Sequence, residues 1–121
     1  MSRFIFWKSQ FSNGRPKASA FIPPPNLKTS AFWIDGLEDR AIWDLGDNEA
    51  GRGRGKRPRG RADLKSNDVA EVGLACVSDP SPHPRHLNIC GWPNEKDEQK
   101  AVALELCSRA TLHTRELEEI A

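Results

Sequence analysis

The chain has 121 residues and a formal net charge of +1, and 37% of its residues are hydrophobic while 29% are charged. A chain of this length suffices for one hydrophobic core, and none of its apolar runs approaches the roughly 18 residues that a membrane span needs. The apolar run that begins at Phe4 is also too short for a secretory signal peptide. We therefore expect residues 1–121 to form a single soluble, cytoplasmic domain without membrane contact.

The first third of the chain is predicted to be β-structure. Residues 4–7 are rich in strand-forming side chains, and the Asn13–Gly14 pair is typical of a hairpin turn because both residues tolerate a positive φ. A return strand is expected at 18–22, where three consecutive prolines end it. Residues 29–34 have apolar side chains on both faces, which indicates a central strand covered on both sides.

Helices and strands alternate in the middle of the chain. A short helix is predicted from Glu38, with Gly46 as its left-handed stop. A second short helix is predicted at 67–72, and Gly73 closes it. The next predicted elements are two strands, at 74–77 and 86–90.

A long amphipathic helix is predicted after Asn94, and residues 113–121 either extend this helix or fray. This order of elements predicts a two-layer α+β fold, in which a long C-terminal helix packs on one mainly antiparallel sheet. The order of the strands in the sheet does not follow from these patterns.

The most unusual feature of the sequence is the basic segment, residues 51–61. It has six positive charges and no negative one, and without it the chain retains 12 basic against 17 acidic side chains. Arginines separated by glycines have little apolar surface to bury, so we expect a flexible loop. A guanidinium group binds phosphate oxygens bidentately and stacks on unpaired bases. The segment therefore indicates contact with nucleic acid through Arg52, Arg54, Lys56, Arg57, Arg59 and Arg61, with Arg85 as a weaker candidate.

Neighbouring residues would assist this contact. Trp7 and Trp33 have rings on which bases stack, and the candidate cations of the N-terminal region are Arg3, Lys8, Arg15 and Lys17. In a small protein a tryptophan is more often part of the core, and a run of charges is more often a solvated loop. The sequence alone leaves open whether the tryptophans stack on bases or belong to the core. It also leaves open whether the basic segment binds nucleic acid or is a solvated loop.

The cysteines indicate a reducing compartment rather than a disulfide scaffold. Cys76, Cys90 and Cys107 are an odd number of thiols without a C-x-x-C spacing. Cys76 and Cys90 are candidate zinc ligands together with His83 and His86, but the spacing of these four residues matches no common structural zinc pattern. We predict neither a metal nor a cofactor.

A small hydrolase or phosphodiesterase-type enzyme, with His86 as the base, is the second alternative function. In a hydrolase the nucleophile would be Cys90 or Cys107, and the carboxylate that orients His86 would be Asp79 or Asp63. In a phosphodiesterase Arg85 would stabilise charge and Asn88 would position the substrate. The chain contains no phosphate-binding loop, metalloprotease motif or nucleophile elbow. We therefore assign no catalytic residue.

The sequence thus predicts a small non-enzymatic binding protein. Its basic segment is expected to contact nucleic acid non-specifically, and its folded body is expected to dock on a larger protein partner. The first alternative is a protein-interaction subunit without nucleic-acid contact. The edge of the predicted N-terminal hairpin favours this alternative, as do Leu117 and Ile120 near the C-terminus.

Overall fold

A computed structural model describes residues 1–117, which form eight strands and three α-helices. The strands are β1 Ser2–Ile5, β2 Phe11–Ser12, β3 Arg15–Pro16, β4 Thr29–Phe32, β5 Gly60–Asp63, β6 Ala75–Ser78, β7 His86–Cys90 and β8 Thr111–Thr114. The helices are α1 Asp39–Leu45, α2 Ser66–Glu71 and α3 Lys96–Arg109.

Six of the strands form one sheet in the order β6-β7-β4-β1-β5-β8, with antiparallel neighbours throughout. β4 lies between β7 and β1, so its predicted central position is confirmed. In the pairing of β4 with β7, Ser30 lies opposite Asn88 and Phe32 lies opposite His86. The predicted α+β class, with a mainly antiparallel sheet and a long helix packed on it, is confirmed.

The larger hydrophobic core lies between the sheet and α3. Leu87 and Ile89 occupy alternate positions of β7 and are completely buried on this face. Ala103 and Leu106 of α3 belong to the same buried cluster. The strand predicted at 86–90 is therefore present, and Leu87 and Ile89 share its buried face.

A smaller core lies on the opposite face of the sheet, where α1 covers it. Phe4 of β1 and Phe32 of β4 point to this face, and their ring centroids are 5.9 Å apart. Ile42 and Leu45 of α1 are buried against them. Because successive strand residues point to opposite faces, one strand supplies side chains to both cores.

The N-terminal hairpin differs from the prediction. Asn13 and Gly14 have φ angles of 53° and 76° and form the expected turn, but it joins only the two-residue strands β2 and β3. The return strand predicted at 18–22 is wrong, since Ala18–Ala20 is a 3-10 helix. One further backbone hydrogen bond follows Pro16, from the N–H of Lys17 to the carbonyl oxygen of Gln10 at 2.8 Å, before the 3-10 helix begins.

Two strands of the sheet, β5 and β8, were not predicted. β5 pairs with β1 on one side and with β8 on the other, so residues 113 and 114 belong to a strand rather than to a helix extension. The long helix α3 is consequently followed by a strand. Residues 118–121 of the predicted tail lie outside the described residues.

Gly46 ends α1, but not as the predicted left-handed stop. Its φ is −60°, and the chain continues into a π-helical turn over Gly46–Ala50. A Cβ at Gly46 would lie 2.6 Å from a ring carbon of Phe4. The glycine is therefore explained by its close approach to the smaller core. No helix within residues 1–117 is long and apolar enough to cross a membrane.

Candidate nucleic-acid interface

The basic segment is folded against the protein. Gly51 permits a tight turn, because a Cβ there would overlap the carbonyl oxygen of Lys56. Arg52–Arg54 form a 3-10 turn, and Gly55 follows with a left-handed φ of 62°. Residues 60 and 61 are the first two of β5 and pair with β1. The segment therefore has defined turns, in contrast to the loop expected from its composition.

Arg61 lies inside the protein, and its side chain is only 3% exposed. Its Nη2 is 2.6 Å from Oδ1 of Asp39, and its Nε is 3.3 Å from Oδ2 of Asp63. The hydrogen bond from Arg61 lowers the pKa of Asp39 below its ordinary value. The guanidinium also lies 4.8 Å from the ring centroid of Trp43. Arg61 is thus a buried structural residue and does not reach the surface that would contact nucleic acid.

Asp47 links the basic segment to the last strand of the sheet. Its carboxylate accepts hydrogen bonds of 3.2 and 3.1 Å from Arg57 and also pairs with Arg115, just beyond β8. Burial acts to raise the pKa of Asp47, but the hydrogen bonds from Arg115 and Arg57 outweigh it, and the pKa is lowered. Asp47 is therefore ionised at neutral pH and holds both arginines.

Two arginines of the segment are paired with carboxylates and still face solvent. The side chain of Arg57 is 60% exposed despite its bond to Asp47. The side chain of Arg52 is 74% exposed, and its Nη2 lies 3.7 Å from the carboxylate of Glu49. Ion pairs this exposed contribute little energy, so a phosphate group can compete for these arginines.

The other two exposed cations lie over aromatic rings. The guanidinium carbon of Arg54 is 4.5 Å from the ring centroid of Phe6, and Nζ of Lys56 is 3.9 Å from that of Trp7. Such contacts position a cation without cancelling its charge. Trp7 is itself 52% exposed, although large aromatic residues are usually buried.

A surface hollow of about 440 Å³ lies beside Trp7, Lys56 and Arg57, while Arg54 borders it through its contact with Phe6. It combines aromatic faces with several positive charges, which is the composition of a site for a base and its phosphates. The lining residues are Phe6, Trp7, Lys8, Lys56, Arg57, Arg59 and Leu117. Trp7 and Lys8 were sequence candidates, and the structure places both beside the basic segment.

Arg85 lies apart from this hollow. Its Nη1 donates to the carbonyl oxygens of Trp33 and Asp35, at 3.3 and 3.1 Å. Trp33 is likewise outside the hollow, and its indole N–H is 3.4 Å from Oγ of Ser78. Neither Arg85 nor Trp33 is therefore brought to the basic segment.

Sequence reasoning missed Phe6, Asp47 and Arg115 as parts of this region. Phe6 lies in a run that reads as strand, and Arg115 lies in the predicted tail. Only the pairing of β8 with β5 brings Arg115 to Asp47, 68 residues away in the chain. A long-range contact of this kind has no signal in local composition.

The candidate metal ligands do not converge. Within the described part of the chain, no group of three or more His, Cys, Asp or Glu residues is arranged to hold a metal ion. The Sγ atom of Cys76 lies 3.7 Å from Sδ of Met1, and Sγ of Cys90 lies 3.8 Å from the carbonyl oxygen of Asn88. Both thiols are accounted for by packing and weak hydrogen bonds.

Of the alternative catalytic residues, His86 and Asp79 meet, with Nδ1 and Oδ2 3.6 Å apart. Asp63 is instead engaged by Arg61 and by His113, whose Nε2 lies 3.4 Å away. Burial raises the pKa of Cys107 to about 11, which keeps this thiol protonated and a poor nucleophile.

Comparison with known proteins identifies no relative of this chain. No family model matches the chain, and no curated protein or solved structure matches it.

Proposed function

We propose that this protein binds single-stranded nucleic acid without sequence specificity, through the hollow beside the basic segment. The observation that carries the proposal is the exposed indole of Trp7 under Nζ of Lys56, among further exposed cations. Unpaired bases stack on exposed aromatic rings, whereas the bases of a duplex are already stacked on one another. The exposed ring therefore favours single strands.

The phosphate contacts are assigned to the exposed cations of the segment and its neighbour. They are Arg52, Arg54, Lys56, Arg57 and Lys8. Arg59 also lines the hollow, and its backbone N–H is bonded to the carbonyl oxygen of Ile5 at 2.8 Å. Because the turns of the segment are already formed, binding does not have to order an extended loop.

Replacement of Trp7 by leucine tests the stacking contact. Titration of the intact protein with oligothymidylate or oligouridylate is expected to quench its tryptophan fluorescence. Trp7→Leu should remove most of this quenching and weaken binding roughly tenfold, since one stacked base contributes about 1–3 kcal/mol. The matched control is Trp33→Leu, which alters an indole outside the hollow and should leave the affinity unchanged.

The same titration separates the proposal from a purely protein-binding role. Lys56→Ala should weaken binding. Lys96→Ala removes the same charge at an exposed position of α3 and should leave binding unchanged. Unchanged affinity in Trp7→Leu and Lys56→Ala would contradict the proposed interface. The protein-interaction alternative predicts no oligonucleotide binding by any of these proteins.

A further inference from the structure

A serine and a histidine meet on the central strands, outside the interface described above. Oγ of Ser30 on β4 lies 2.7 Å from Nε2 of His86 on β7. The register explains this contact, because Ser30 pairs with Asn88 and Phe32 pairs with His86, so these side chains share one face of the sheet. His86 is largely buried, and the Phe32 ring packs against it with centroids 5.3 Å apart.

The hydrogen bonds of His86 determine its tautomer. Nδ1 lies 2.9 Å from the backbone carbonyl oxygen of Asp79, which can only accept a hydrogen bond. Nδ1 therefore carries the proton in the neutral ring, and Nε2 accepts the hydroxyl proton of Ser30. This is the arrangement in which a histidine acts as a base toward a serine nucleophile.

Asp79 holds the ring by its backbone and its side chain. Its backbone N–H donates to the carbonyl oxygen of His86 at 2.9 Å, and its Oδ2 lies 3.6 Å from Nδ1. Asn88 donates to the same Oδ2 at 3.1 Å and so keeps the carboxylate beside the ring. A carboxylate there stabilises the imidazolium that forms when His86 takes up a proton.

Ser30 and His86 open into a cavity of about 360 Å³ that is also lined by Arg3 and Arg54. Arg54 lies between this cavity and the hollow of the basic segment, because it also contacts the Phe6 ring. Burial lowers the pKa of Arg3 to about 10, and the charge of Arg54 acts in the same direction. Arg3 donates to the carbonyl oxygens of Ala20 and Ser30, and among residues 1–117 no carboxylate pairs with it. Glu49 is the acidic residue of the lining.

We propose that Ser30 is a nucleophile activated by His86 and that it cleaves carboxylic esters bearing a negatively charged group. Oγ of Ser30 bonds to the ester carbonyl carbon while its proton passes to Nε2 of His86. The ester C–O bond then breaks, and the leaving alkoxide takes that proton. Water, activated by the same nitrogen, hydrolyses the acyl-serine and restores Ser30 with release of the carboxylic acid. The positive charges of Arg3 and Arg54 favour an anionic substrate. They also stabilise the negative charge that develops on the attacked carbonyl oxygen.

The test uses the intact protein with mono-4-nitrophenyl glutarate and, as a neutral counterpart, 4-nitrophenyl butyrate. The protein should release nitrophenol from the anionic ester at least tenfold faster than from the neutral one. Ser30→Ala should abolish this release, and mass spectrometry should place the transient acyl group on Ser30. The control Ser9→Ala, at an exposed serine, should be unchanged. Equal release by Ser30→Ala and the parent protein would overturn the proposal, and equal rates with both esters would overturn the assigned substrate class.

Two further measurements separate the base from a merely structural histidine. Asp79→Asn should lower the maximal rate about tenfold without changing KM, because it acts on the charged ring and not on the substrate. Long-range ¹H–¹⁵N correlation spectra of the unaltered protein should show the neutral His86 ring protonated at Nδ1. Protonation at Nε2 would overturn the role of His86 as the base, whether or not a substituted protein folds.

Discussion

Gly46 shows at the scale of one residue how tightly the smaller core is packed. Gly46→Ala should destabilise the protein by about 1–3 kcal/mol, because the new Cβ would lie 2.6 Å from the Phe4 ring. Helix propensity alone predicts the opposite sign, since alanine is favoured over glycine by up to about 1 kcal/mol. The midpoint of urea unfolding distinguishes the two effects: it falls if the clash with Phe4 dominates and rises if helix propensity dominates.

Gly53→Ala is the matched control for this substitution. A Cβ at Gly53 meets no atom within 4 Å, so this variant should unfold at nearly the same urea concentration as the parent protein. A Gly46→Ala variant as stable as Gly53→Ala would show that the ring of Phe4 can move aside.

Individual residues also show what sequence reasoning reached and what it missed. Trp7 and Lys8 were among the candidates because tryptophans and cations of the N-terminal region were expected to assist the basic segment. Arg3, Arg15, Lys17 and Trp33, named on the same grounds, do not line the hollow. Arg61 looked like the other cations, and only the approach of Asp39 and Asp63 makes it a buried structural residue. Ser30 has no local signal, because its meeting with His86 depends on the register of two strands 56 residues apart in the chain.

At the scale of elements, local patterns predicted α1, α3, β4 and β7. In α3 the buried apolar residues Ala103, Leu106 and Cys107 recur at helical spacing. β5 and β8 were not predictable in this way. β5 contains Arg61 and Asp63, whose charges argue against a buried strand until their partners on other elements are known. Their pairing with β1 and with each other is long-range, so it becomes visible only in the folded sheet.

The contacts of Asp47 predict how the attachment of the basic segment to β8 depends on pH. The pKa of Asp47 is lowered in the folded protein, so its stabilising contribution is complete above the ordinary carboxylate pKa of about 4 and is lost as the pH falls through the folded value. Asp47→Asn should therefore lower the free energy of unfolding by about 1–3 kcal/mol at pH 7, because Arg57 and Arg115 lose a charged acceptor. The deficit relative to the parent protein should shrink at about pH 3.

Denaturant unfolding of both proteins at the two pH values measures this difference. Asp44→Asn, the same change at an exposed position of α1, is the control and should have little effect at either pH. A deficit of equal size at both pH values would contradict the assigned role of the Asp47 carboxylate.

At the scale of the whole molecule, the positive charge of the basic segment is divided between the surface and the interior. Without the basic segment the chain has 12 basic against 17 acidic side chains, and Lys56 and Arg57 of the segment are exposed and line the hollow. Part of the positive charge is internal, because Arg61 and Arg115 both lie over the Trp43 ring. Arg61 pairs there with Asp39, and Arg115 pairs with Asp47. The remaining exposed cations are sufficient for about four phosphate contacts on a single strand.

The salt dependence of binding tests this account most directly. Fluorescence anisotropy of a labelled oligothymidylate should give an affinity that falls with salt at a logarithmic slope of about −3, or roughly fiftyfold for a fourfold rise in salt. A variant with serine at Arg52, Arg54, Lys56 and Arg57 should bind weakly and with a slope shallower than about −1. Absence of binding by the parent protein at low salt, or an equal slope in the two proteins, would contradict the claim that this surface binds nucleic acid.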